Sequence, residues 1–182
     1  MPGTILGLPA HPLIVHAVVV LVPLAALLLG ASAVSARFRH WARYASPATA
    51  LLGLVMVPLA TSSGENLERN VEQTAQLREH TQLGDTLLPF MVVVTVLAFA
   101  LAWFELRGGV GGRGGRGGAD GSQGVLARLG SPTVLRVVAV LGVVAALGTL
   151  VQVGRIGHSG AQSVWSGTST SGGGSDQGAS SR

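Results

Sequence analysis

GLPAHPLIVHAVVVLVPLAALLLG, residues 7–30, decides the fold. Beyond His16 it holds no polar side chain up to Gly30, only Ala, Val and Leu with the single Pro23. About 20 apolar residues at a 1.5 Å rise cross a hydrocarbon core, so the stretch predicts a first transmembrane helix over roughly 12–36. The question it raises is chemical. Two imidazoles, His11 and His16, stand where the chain enters the bilayer. A neutral imidazole can ligate a metal, carry a proton or hydrogen-bond a neighbour.

Composition agrees with lipid as the solvent. Of the 182 residues 48% are hydrophobic and 11% charged, against roughly 25% charged in a soluble domain. All 12 basic residues are Arg, and the formal net charge of +4 comes from a few loop arginines rather than from a nucleic-acid-binding face. Cysteine is absent, which excludes disulfides, thiolate metal sites, iron–sulfur ligation and cysteine nucleophiles. No Lys or Arg precedes the first apolar run, so it lacks the basic region of a cleaved signal and is expected to be retained.

Three further runs are long enough to span, over roughly 45–61, 83–106 and 132–154, that over 45–61 being the shortest. Ser131 followed by Pro132 reads as an N-cap with proline in the first turn. The fold class expected is therefore all-α, an integral membrane four-helix bundle over residues 1–165. No internal repeat strong enough to argue from is visible. Arg37, Arg39 and Arg43 lie in the first loop and Arg107, Arg113, Arg116 and Arg128 in the third, whereas the second mixes Arg69 and Arg78 with Glu65, Glu68, Glu72 and Glu79. The positive-inside rule makes the first and third loops cytoplasmic and both termini extracytoplasmic, in the plasma membrane of a bacterium. His11, His16, His80 and His158 then all fall on the outer side, and only His40 lies inside.

Between the second and third spans, TSSGENLERNVEQTAQLREHTQLGD reads as a short extracytoplasmic helix, with Ser62 and Glu65 as a capping box and Leu67, Val71 and Ala75 as a narrow apolar stripe. It delivers His80 and Asp85 to the outer surface. Residues 107–124 form a Gly/Arg-rich cytoplasmic linker expected to be disordered, and the same holds for the tail, residues 166–182. Three Arg-Gly-Gly triplets lack interleaved aromatics, so contact with anionic lipid headgroups is expected and nucleic acid is not.

The histidines are the candidate site. Residues five apart are separated by about 140° around a helix, so His11 and His16 cannot grip one ion as an i, i+4 pair does. They are expected to face partners on other helices, His80 and His158 being available, with His16 buried toward the bundle interior and His11 in a non-helical lead ahead of Pro12. In QVGRIGHSGAQSVW, Gly157, Gly160 and Ala161 give His158 small neighbours, Arg155 stands ready for a carboxylate such as Asp85, a lipid phosphate or a haem propionate, and Trp165 suits the interface.

These pieces together resemble a bacterial membrane family, domain of unknown function 2231, whose members are four-span proteins with a His-Pro-x-x-x-His motif at the start and a Gly-His-x-Gly-Ala segment followed by an aromatic at the end. Here the motifs are His11, Pro12 and His16, then Gly157, His158, Gly160, Ala161 and Trp165, with His80 matching a histidine ahead of the third span. The chain departs from the family at Ala17 and Val18, where Phe-Pro is common, and its nearest proline is Pro23. The resemblance carries no established activity. Relatives joined to Rieske-type iron–sulfur domains point it toward redox work.

The leading expectation is a b-type haem held by outer-side histidines in an electron-transfer role with a redox protein partner, His16, His80 and His158 being the axial candidates and His11 the next. The alternatives are a Zn or Cu site built from the same four histidines, and a non-catalytic scaffold in which they are hydrogen-bonded helix ends. A hydrolase is not expected, because neither a Gly-x-Ser-x-Gly elbow nor a His-Glu-x-x-His pair occurs, and a binding or electron-transfer protein is expected over an enzyme. A homo-oligomer is the remaining way for four short spans to build a larger pathway.

Overall fold

The computed structural model describes residues 4–5, 8–68, 75–111 and 131–165. A two-residue antiparallel ribbon, β1 (Thr4–Ile5) with β2 (Leu8–Pro9), leads into α1 (Ala10–Val34). There follow α2 (Ala36–Trp41), α3 (Ala45–Glu68), α4 (Ala75–Asp85), α5 (Leu87–Gly111) and α6 (Pro132–Trp165). Four helices are long and apolar enough to cross a membrane, over His11–Val34, Ala45–Glu65, His80–Arg107 and Pro132–Ala161. The expected all-α four-span bundle is the fold.

The ends differ from expectation in instructive ways. His11 lies in the first turn of α1 and not in a non-helical lead, because a proline at the start of a helix needs no backbone donor. The first loop is largely the short helix α2, capped by Ser35, whose side chain accepts from the Phe38 amide at 3.2 Å. Ser62 does not cap a new helix. It sits inside α3 and donates to the Leu59 carbonyl, since the second helix continues about two turns further than its apolar run. The expected cap at Ser131 is present, its hydroxyl 3.3 Å from the Val134 amide. The linker begins as helix, α5 running to Gly111; the rest of 107–124, the tail over 166–182, Arg69, and Val71 of the expected stripe lie outside the described residues.

The four long helices form a ring in which α1 packs on α3 and α6, and α5 packs on the same two from the opposite side. The core is built from Val22, Ala25 and Leu29 of α1, Ala50 and Val57 of α3, and Met91, Val94 and Leu101 of α5. Inside a membrane lipid tails are as apolar as Leu, so association rests on close packing rather than on water exclusion. Small residues provide it where α1 meets α6. A Cβ placed on Gly30 would stand 3.4 Å from the Ala146 Cβ, and one on Gly142 would stand 3.4 Å from that of Ala33 and 3.5 Å from Leu29 Cδ1. Gly142→Leu is therefore expected to force α1 and α6 apart and lower stability by about 1–3 kcal/mol, read by thermal unfolding in detergent. Gly53→Ala is expected to cost much less. Its one close approach is 2.8 Å to the far methyl of Met91, a side chain that can turn aside, and its contacts with Val22 and Leu21 at 3.8 and 3.9 Å are ordinary ones.

Candidate functional site

Up-down-up-down connection brings the start of α1, the end of α3, α4 and the end of α6 to one end of the bundle. Two histidines there rest on the same support. His11 Nδ1 lies 2.8 Å from Ser63 Oγ, and Ser63 Oγ donates to the Ala60 carbonyl at 2.8 Å. His80 Nδ1 lies 3.2 Å from Ser159 Oγ, and Ser159 Oγ donates to the Ile156 carbonyl at 3.0 Å. In each pair the serine has one proton and gives it to the backbone. An imidazole in its Nδ1–H tautomer would donate to that hydroxyl and keep its Nε2 lone pair.

The next residue completes each support. A Cβ on Gly64 would approach His11 Cε1 to 3.2 Å, and one on Gly160 would approach His80 Cε1 to 3.1 Å, so each imidazole has its Cε1 corner close against a glycine. The arrangement is a structural repeat, His11 over Ser63-Gly64 and His80 over Ser159-Gly160, generated because α1 stands to α3 as the α4–α5 pair stands to α6. The Ser-Gly dipeptide at both helix ends is the signal in the sequence that could have disclosed it.

Gln152 holds the second support in place. Buried on α6, its amide donates to Thr86 Oγ1 at 2.5 Å and to the Leu83 carbonyl at 3.4 Å, pinning the α4–α5 junction against the helix that carries Ser159.

The other expected site residues are placed differently. His16 is exposed, with Nδ1 2.6 Å from the carbonyl of Pro12, so its polar atom is satisfied within its own helix and it does not face the interior. This corrects its place as a buried ligand. A long apolar run leaves four side-chain directions per turn, and hydropathy does not say which one points inward. His158 is exposed on α6, next to the buried Ser159. Asp85 and Arg155 are both exposed, and among the described residues neither makes an ion pair. No group of three or more metal-ligating side chains is gathered among the described residues.

The opposite end holds a polar cluster that the sequence did not single out. Glu105 on α5 accepts from Arg39 Nε at 3.3 Å and pairs with His40 Nδ1 at 2.9 Å. Arg39 Nη1 also donates to the Ser32 carbonyl at 2.9 Å, and Arg43 Nη1 to the His40 carbonyl at 3.2 Å.

A four-helix membrane bundle with two matched histidine supports at one end and an arginine–carboxylate cluster at the other is thus the class of protein defined here. The chain belongs to the family described as predicted membrane protein (DUF2231), whose model matches residues 7–171. No curated protein and no solved structure matches it.

Proposed function

We propose that the protein is a membrane-bound electron-transfer protein in which His11 and His80 would hold a b-type haem. The matched supports carry this reading. Each imidazole has its Nδ1–H engaged by a hydroxyl and its Nε2 available, the state that a metal-ligating histidine adopts when an outer partner fixes its tautomer. Two such ligands suit a porphyrin iron, whose four equatorial positions the macrocycle supplies. A tetrahedral Zn ion would need two ligands more, and a Cu site at least one in most geometries. The haem would supply one-electron chemistry, and the chain's part is to hold the two imidazoles, fix their tautomers and set the surrounding dielectric. With the arginine-bearing end cytoplasmic, the site faces outward, where a redox protein partner reaches it.

The test is optical. Protein purified from membranes, then supplemented with haemin, is expected to show a Soret band whose position shifts on reduction with dithionite. Absence of that band after supplementation overturns the proposal. Elemental analysis of untagged protein finding about one equivalent of Zn or Cu in its place would assign the site to the competing metal.

A further inference from the structure

We propose that the bundle is one helical hairpin used twice: residues 11–65 and 80–161 turn the same face to each other across a two-fold axis along the spans, and the two histidine supports are equivalent halves of one site. The last clause rests on the reading above; the doubled hairpin does not.

The supports themselves set the comparison. Laying His11 on His80 shifts α1 along the chain onto α4 and α5, and laying Ser63 on Ser159 shifts α3 onto α6. The two shifts differ only by the greater length of chain between α5 and α6. Buried Val22, Ala25 and Leu29 then fall on buried Met91, Val94 and Ala98, and exposed Leu24, Leu27 and Val34 fall on exposed Val93, Val96 and Trp103. In the other pair of helices, buried Ser46 and Ala50 fall on buried Gly142 and Ala146, and exposed Leu51 and Val55 on exposed Leu147 and Val151. Matched positions share burial and not identity, so the repeat lies in packing.

Contacts between the hairpins repeat as well. Gly142 on α6 stands against Leu29 and Ala33 of α1, and the images of these residues, Ser46 on α3 with Ala98 and Ala102 on α5, line one narrow cleft. Ala146 meets α1 at Gly30; its image Ala50 meets α5 through the Thr95 hydroxyl, which donates to the Ala50 carbonyl at 3.2 Å. The ring has the matching order, α1 and α5 each packing on both α3 and α6. Since α1 and α5 run one way and α3 and α6 the other, the relation is a rotation about an axis along the spans, as in parallel membrane repeats. Such a face is self-complementary, and the partner that fits it is a second copy of the same hairpin. One break interrupts the match. Thr86 separates α4 from α5, whereas its image Ala17 lies inside the unbroken α1. Gln152 bridges that break through Thr86 and the Leu83 carbonyl, giving His80 the fixed place that helix continuity gives His11.

The chain has no cysteine, so introduced pairs report on these contacts directly. Ala33→Cys/Gly142→Cys, with Cβ positions 3.4 Å apart, is expected to close to a disulfide on oxidation of the full chain in nanodiscs, and the image pair Ser46→Cys/Ala102→Cys to close to an extent within about twofold of it. Ser46→Cys/Trp103→Cys, one residue out of register, is expected to stay open. An image pair that stays open, or an out-of-register pair that closes as readily, overturns the doubled hairpin. The supports are compared through Gly64→Val and Gly160→Val, each of which drives a side chain against an imidazole. Their losses of unfolding temperature are expected to agree within about 2 °C, and a loss confined to one of them overturns the equivalence. With haemin, His11→Gln and His80→Gln are expected to weaken retention by factors within about threefold of each other, and a disparity of about tenfold or more overturns the single site. A wild type without a Soret band removes the haem reading alone, and the cysteine and glycine variants still decide the doubled hairpin and its matched supports.

Discussion

Replacing His11 and His80 together by alanine is expected to abolish haem retention, leaving a folded bundle with no Soret band after haemin supplementation. Each single replacement is expected to leave one axial imidazole, shift the band and weaken retention by tenfold or more. His16→Ala and His158→Ala are the contrasting pair and are expected to leave the spectrum in place, since both imidazoles are exposed and that of His16 is taken up by the Pro12 carbonyl. The serines separate ligation from mere packing. Ser63→Ala and Ser159→Ala remove the acceptors that fix the Nδ1–H tautomer, which costs roughly 10–100-fold in affinity where such partners support a metal ligand. Ser→Thr keeps the hydroxyl and should restore most of it. A Soret band that survives His11→Ala/His80→Ala would sink the assignment, and loss of the band in His16→Ala would move the ligand to the exposed face of α1.

What was legible in the sequence follows from what hydropathy encodes. Lipid makes the interior of a span uniformly apolar, so His11–Val34 and Pro132–Ala161 could be found without any partner. The second helix was cut short at residue 61 because its last turns, TSSGENLE, are polar and lie beyond the apolar run that reveals a span. Clustering of four histidines at one end was legible for the same topological reason. Which two share a support was not, because that depends on rotation about each helix axis. His16 sits in a run with no polar face to orient it, and nothing local says that its ring turns back to Pro12. Ser63 lies 52 residues from His11, and Ser159 lies 79 from His80, separations that carry no sequence pattern. The Ser-Gly dipeptides were available as a clue only if the small residue was read as the place where a ring comes close.

Glu105 was overlooked because a lone carboxylate beside an arginine-rich loop reads as a charge at a helix end. Its replacement by alanine is the other large effect expected. The Arg39 side chain is 12% exposed and that of Glu105 19%, so the pair is mostly out of water and removal of one partner leaves a largely desolvated guanidinium. A surface pair is worth about 0–1 kcal/mol and a fully buried one costs about 3–5 kcal/mol to break, which places Glu105→Ala at about 2–3 kcal/mol in unfolding measurements in detergent. Arg39→Met/Glu105→Leu removes both charges and is expected to recover most of that loss. His40→Gln should cost little, since that side chain is 68% exposed. Glu105→Gln retains an acceptor for Arg39 and is expected to cost less than Glu105→Ala in the same measurement.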